Sequence, residues 1–111
     1  MATELVLLSE VPLHADLMAD VAAQVLPGGS GISYRDGEIT QFIDAEGATV
    51  VTIFDAVPVH DPVQAASMLA DPPASFGLWT EISLPFGGPS NGRTLVTLLA
   101  EAVGGTIKAK R

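Results

Sequence analysis

Residues 4–8 read E-L-V-L-L, a short apolar run without the polar–apolar alternation of a half-exposed strand. A run of this kind is typical of a central strand that is covered on both faces. Pro12 ends the run, and residues 14–26 follow with apolar side chains at a spacing of four, which predicts an amphipathic helix. We therefore expect a sheet built around the first strand, with helices packed against it.

The remaining segments alternate between strand-like and helical patterns. Asp36-Gly37 and Glu46-Gly47 are typical of tight turns between neighbouring strands. Asp61 before Pro62 is typical of a helix N-terminus. The strand-like segments are residues 32–35, 38–44, 48–59, 76–84 and 106–110, and the later helical segments are residues 61–70 and 92–103.

The resulting order, β-α-β-β-β-α-β-α-β, predicts one α+β domain spanning residues 1–111. Strands separated by helices favour parallel pairing, whereas the two tight turns favour antiparallel pairing. We therefore expect a mixed sheet of five to six strands, with helices packed mainly on one face and a ferredoxin-like core. In the fifth strand the alternation predicts that Thr80 and Ile82 share one face, and that Trp79 and Glu81 share the other.

Charge is distributed unevenly along the chain. Residues 1–92 contain twelve acidic side chains and a single basic one, Arg35, which gives −11. Residues 93–111 contain four basic side chains and Glu101, which gives +3 and a total of −8. The acidic body disfavours binding to nucleic acid, because contacts with phosphates need clustered Lys and Arg. It favours basic protein partners, since opposite charges accelerate association.

Composition disfavours several kinds of site. The chain has no cysteine, which excludes disulfides and thiol chemistry. We expect no metal and no cofactor, because His14, Asp16 and Asp20 cannot converge on one helix and no cofactor motif is present. No apolar run approaches the ~20 residues of a membrane helix, and no basic residue precedes the first apolar run. We therefore expect a cytoplasmic protein that does not bind membranes.

The acidic turns and the fifth strand provide a candidate contact surface for a protein partner. We expect this surface to comprise Asp36, Glu38, Asp44, Glu46, Trp79 and Glu81. Tryptophan is a frequent anchor of protein interfaces. The favoured hypothesis is a small binding protein, of the immunity or antitoxin type, that inhibits a basic partner enzyme. A homodimer is compatible with the sequence, and the Ala/Val/Gly/Asp-rich composition is typical of a bacterial gene of high GC content.

The loop F-G-G-P-S-N-G-R at residues 86–93 suggests an alternative, because it follows a predicted strand and precedes a predicted helix. Backbone N–H groups, the helix dipole and a guanidinium can together hold a phosphate or carboxylate. The candidate anion-binding residues are Gly88, Ser90, Asn91, Gly92 and Arg93. The loop resembles the pyrophosphate loop of acyl-CoA-dependent acetyltransferases, although the chain is too short for that whole fold. A glycine-rich connection with a helix cap is the structural alternative.

A small enzyme is the second alternative. His60 lies between a strand end and a helix cap, with Asp55 five residues before it, and Glu81 lies on the fifth strand. An imidazole that is oriented by a carboxylate can act as a general base. No nucleophile motif accompanies these residues, so the sequence assigns no catalytic residue. The hypothesis requires the three side chains to converge within ~3 Å of one substrate site in a pocket.

Overall fold

The computed structural model describes residues 3–67, 69, 76–88 and 91–109, and it confirms the α+β class. The strands are β1 Thr3–Ser9, β2 Ser30–Tyr34, β3 Ile39–Ile43, β4 Thr49–Phe54, β5 Val57–Pro58, β6 Leu78–Leu84 and β7 Thr106–Ala109. The helices are α1 Ala15–Val25, α2 Pro62–Ser67 and α3 Asn91–Ala102. A short 3-10 turn, Arg35–Gly37, joins β2 to β3.

The seven strands form one sheet in the order β2-β3-β4-β6-β1-β7, with β5 pairing beside β4 on the same edge of β6. The sheet differs from the expectation in two details. It has seven strands rather than five or six, and every pairing among the described residues is antiparallel. Two helices join strands that run in the same direction, but these strands are not neighbours in the sheet. α1 joins β1 to β2 with three strands between them, and α3 joins β6 to β7 with β1 between them.

The ferredoxin-like expectation describes one part of the sheet well. Strands β6 and β7 run in the same direction on either side of β1, and α3 connects them, which makes a split β-α-β unit. The other crossover is wider, because α1 connects β1 to β2 across β6, β4 and β3. As expected, β1 is a central strand, and its residues from Leu5 to Leu8 are at most 3% exposed.

One face of the sheet, here called the helix face, packs against α1 and α3. Leu5 and Leu7 of β1 contribute to this core, and the buried residues of the neighbouring strands are Phe42 of β3, Val50, Val51 and Ile53 of β4, and Ile82 and Leu84 of β6. Leu95 and Leu99 of α3 are both fully buried in it. Gly92 lets α3 approach the sheet closely, since a Cβ there would lie 2.8 Å from the backbone oxygen of Val50.

The opposite face, here called the outer face, is only half covered. Over β1 and β6, a small cluster that includes Val6, Leu8, Leu69 and Phe76 packs with Ala65 of α2. Over β2, β3 and β4, no helix or buried cluster of the described residues packs on this face. The exposed apolar side chains of these strands there are Ile32, Tyr34 and Phe54. The molecule therefore has one closed hydrophobic core and one partly open sheet surface.

The local predictions are largely confirmed at the level of elements. Helix α1 forms where the four-residue spacing predicts it, and the faces of residues 78–84 are as expected. The backbone N–H of Gln64 donates to Oδ1 of Asp61 at 3.1 Å, which confirms the cap of α2. The side chain of Val63 is 82% exposed, and α2 packs against the outer face through Ala65.

Candidate functional site

A groove of about 560 Å³ lies at the border between the covered and open halves of the outer face. We call it the Trp79 groove. Its lining comes from two stretches of the chain, from the end of β4 through α2 and from the middle of β6. The lining residues are Phe54, Asp55, Val57, Pro58, Val59, His60, Asp61, Gln64, Ala65, Trp79 and Glu81.

The groove arises from a break in a predicted strand. Residues 48–59 were expected to form one strand, but pairing is interrupted at Asp55 and Ala56. β4 pairs with β6 through Ile53, and β5 pairs with β6 again at Val57, which lies opposite Trp79. The backbone N–H of Ala56 donates to Oδ1 of Asp55 at 3.0 Å, which places that carboxylate at the bend.

Apolar side chains form the floor and one wall of the groove. Trp79 is half-buried, since it packs against the buried cluster of Val6, Leu8, Leu69 and Phe76 and also lines the groove. Phe54 is 38% exposed and Val57 is 57% exposed. Large apolar side chains that remain this exposed on a sheet face are typical of a contact surface.

Three carboxylates line the same groove, Asp55, Asp61 and Glu81, and none of its described lining residues is a lysine or arginine. Asp55 and Asp61 are exposed, and each uses one oxygen to accept a backbone N–H. Glu81 is half-buried on β6. Lys108 lies in the same row of the outer face, with Val6 between them. Asp55 and Asp61 are therefore the acids that most directly give the groove its negative character.

His60 lines the groove together with Asp55 and Glu81, so the three residues of the enzyme hypothesis meet on one surface. The side chain of His60 is exposed, and it makes no hydrogen bond within the part of the chain that the structure describes. A general base is normally oriented by such a bond. The three residues share one groove, but no oriented imidazole–carboxylate pair is found among the described residues, and the enzyme hypothesis stays a prediction.

The remaining acids of the expected contact surface are divided between the two ends of β3. Asp36 and Glu38 are exposed at the turn before β3, and Gly37 between them lines a small pocket together with Asp55. This pocket lies on the helix face, so the turn is at the same end of the sheet as the Trp79 groove but does not line it. Asp44 and Glu46 lie in the turn after β3, at the opposite end of the sheet, where Oδ1 of Asp44 accepts two backbone N–H groups.

The candidate anion loop also lies at that opposite end. Ser90 lies outside the described residues. The backbone N–H of Gly88 donates to the backbone oxygen of Pro85 at 3.1 Å, and Gly92 is buried against Val50. Arg93 is exposed at the first turn of α3.

At the start of α3, the Oδ1 atom of Asn91 is buried without a hydrogen-bond partner among the described residues. This oxygen can accept a hydrogen bond, and the Nδ2 group of the same amide can donate one. The anion hypothesis stays a prediction.

The outer face contains a polar feature that the sequence pattern did not predict. The hydroxyl of Tyr34 donates to Oε1 of Gln41 at 3.1 Å, and Nε2 of Gln41 donates to the hydroxyl of Thr52 at 3.2 Å. These three side chains cross β2, β3 and β4. In the sequence, each of these residues is only a polar position within a strand-like segment. The pairing register of the strands is needed to show that the three positions are neighbours.

Neither a membrane helix nor a metal cluster is found in the described ranges. None of the three helices there has the length and apolar character needed to cross a bilayer. No three side chains among the histidines, aspartates and glutamates of those ranges are grouped to hold a metal ion.

Comparisons with known proteins identify no relative. No protein-family model matches the sequence, and no curated protein and no solved structure matches the chain.

Proposed function

We propose that this chain is a binding protein whose Trp79 groove docks a basic and partly apolar segment of a partner protein. The observation that carries the proposal is the composition of the groove. Trp79 and Phe54 supply apolar area, while Asp55 and Asp61 stand beside them without a basic residue in the described lining. Aromatic anchors surrounded by polar groups are typical of the energetic centre of an interface.

The charge of the chain supports the same partner. A net charge of −8 attracts a basic protein and raises the rate of encounter at low salt. The turn with Asp36 and Glu38, both exposed, adds two acidic side chains at the same end of the sheet as the groove. An immunity-type or antitoxin-type inhibitor of a basic enzyme in the cytoplasm is the form of this function that we favour.

A fluorescence titration tests the groove directly, because Trp79 is the single tryptophan of the chain. The probe is an eight-residue peptide of lysine and leucine, acetylated and amidated at its ends. We expect it to change the emission of Trp79, and to bind more weakly as the salt concentration rises. Unchanged emission at millimolar peptide, or an affinity that does not depend on salt, contradicts the proposal.

Charge variants separate the groove from the overall charge. Asp55→Asn with Asp61→Asn keeps both side-chain oxygens that accept backbone N–H groups but removes two charges. We expect the peptide to bind about fivefold more weakly, since each exposed ion pair contributes roughly 0.5 kcal/mol. Glu46→Gln with Glu101→Gln makes the same change in net charge at exposed positions outside the groove. Equal weakening in both double variants would exclude the groove as the contact.

A weak general-base activity is the second candidate, since Asp55, His60 and Glu81 line one groove. The test is hydrolysis of a chromogenic acetate ester, with His60→Gln expected to lower the rate to that of the uncatalysed reaction. His14→Gln is the matched control, because His14 is the other imidazole of the chain and lies exposed before α1. Equal rates in the two variants would remove this candidate.

A further inference from the structure

Strand β2 is an edge of the sheet that no other described strand covers. It pairs with β3 along one side, and in the described part of the chain no strand pairs with its other side. All five of its residues are exposed. An edge strand of this kind presents backbone N–H and C=O groups that can pair with an added strand.

The sequence of β2 lacks the features that normally protect such an edge. Ser30–Tyr34 reads S-G-I-S-Y and contains neither a charge nor a proline. The opposite edge of the sheet, β7, carries Lys108 near its middle. Charged side chains and prolines discourage the pairing of edge strands, so β2 is the edge that is open to pairing.

A second groove of about 300 Å³ runs beside this edge on the helix face. It forms because the facing residues are small. Gly31 and Ser33 of β2 line one side, and Ala15, Ala19 and Ala23 of α1 line the other. Side chains of a strand alternate between faces with a period of two. An added strand could therefore place every second side chain in this groove and the others beside Ile32 on the outer face.

The charge along this groove indicates the occupant. Asp16 and Asp20 follow Ala15 and Ala19 on α1, about 100° further around the helix on the solvent side, and both are exposed. Helix α1 carries no lysine or arginine. A second copy of the chain would bring another net charge of −8 to this rim, whereas a basic segment would be attracted to it.

We propose that the free edge of β2 is a strand-addition site for an extended basic segment of a partner protein. The backbone of this segment pairs with β2, and its lysine or arginine side chains pass over α1 toward Asp16 and Asp20. The site is distinct from the Trp79 groove, and it can exist whether or not that groove binds a partner.

Hydrogen–deuterium exchange with a defined probe tests the site. The probe is an eight-residue peptide of alternating lysine and valine with blocked ends. We expect saturating peptide to slow exchange in residues 30–34 by about tenfold, because pairing protects backbone amides. The same peptide N-methylated at its four central residues should give no protection. Protection that occurs only around residues 54–61 and 79–81 would place the peptide in the Trp79 groove and overturn the proposal.

Two variants probe the edge and the charge separately. Ile32→Lys adds a positive charge at a partly exposed position of β2, and it should abolish binding of the peptide. Asp16→Asn with Asp20→Asn leaves the fold intact and should weaken binding about fivefold, since each exposed pair contributes roughly 0.5 kcal/mol. Glu10→Gln with Glu101→Gln, at exposed positions outside both sites, is the control that removes the same number of charges. Binding unchanged in the Asp variants, or a concentration-dependent dimer that Ile32→Lys abolishes, overturns the proposal.

Discussion

The two faces of the sheet differ in how completely they are covered. The helix face is closed by α1 and α3 over a continuous core, while the described residues cover the outer face with a small cluster near α2. Burial of apolar area is the main source of folding stability. The helix face therefore holds the domain together, and the outer face is available for contacts with other molecules.

The largest expected difference between the faces is in stability. Leu95→Ala removes a fully buried side chain from the helix face and should lower the free energy of unfolding by about 2–5 kcal/mol. Val57→Ala on the outer face, where the side chain is 57% exposed, should change it by less than about 0.5 kcal/mol. Urea denaturation of both variants measures the two values. Similar losses would mean that the outer face is as important to folding as the helix face.

The close approach of α3 to the sheet predicts the next largest effect. In Gly92→Ala the new Cβ would lie 2.8 Å from the backbone oxygen of Val50 and 3.2 Å from Cδ2 of Leu84. The better helix propensity of alanine adds about 1 kcal/mol, but the forced displacement of α3 should outweigh it and leave a net loss of roughly 1–2 kcal/mol. Thr97→Ala on the exposed side of α3 is the control. A stabilised Gly92→Ala variant would contradict the packing.

Substitution of one threonine on each face should change the free energy of unfolding in opposite directions. The hydroxyl of Thr80 is buried on the helix face without a partner, so Thr80→Val should raise the free energy of unfolding by about 1 kcal/mol. The hydroxyl of Thr52 on the outer face accepts a hydrogen bond from Gln41, so Thr52→Val should lower it by about 0.5 kcal/mol. Thermal unfolding of the two variants provides the measurement. Changes of the same sign would show that a hydroxyl is equally tolerated on both faces.

The smallest expected effect concerns the cap of α2, which helps to cover the outer face. Asp61→Ala removes the oxygen that accepts the N–H of Gln64, and it should lower the free energy of unfolding by about 0.5–1 kcal/mol. Asp61→Asn keeps an acceptor and should remain within about 0.3 kcal/mol of the original chain. Urea denaturation distinguishes the two. A loss in Asp61→Asn equal to that in Asp61→Ala would show that the charge, and not the cap, stabilises α2.

Local patterns predicted the elements better than their arrangement. Helix α1 and the faces of β6 follow from spacings within a few residues, so the sequence was sufficient for them. The order of the strands depends on pairing between distant segments. The side chains of Ile32 and Phe54 resemble core residues in a sequence, and only the absence of a covering element leaves them exposed.

The candidate site shows the same limit. Asp55, His60 and Glu81 were recognised separately as residues with chemical potential, and their meeting in one groove depends on the bend at Asp55 and Ala56. Nothing in the strand-like residues 48–59 marks this bend, because a short acidic side chain inside such a run has no fixed local conformation. The three residues could therefore be identified from the sequence, but their position around one groove could not.

The position of β1 has a consequence for the synthesis of the protein. This strand pairs with β6 and β7, which both come much later in the chain. The pair with the smallest separation in sequence is Ser9 with Leu78. Ribosomes add about 5–20 residues per second, so the apolar side chains from Leu5 to Leu8 wait on the order of ten seconds before their partners emerge. During that interval β1 lacks its strand partners, and α1, which contributes to the same core, is the first element that can cover part of its apolar surface.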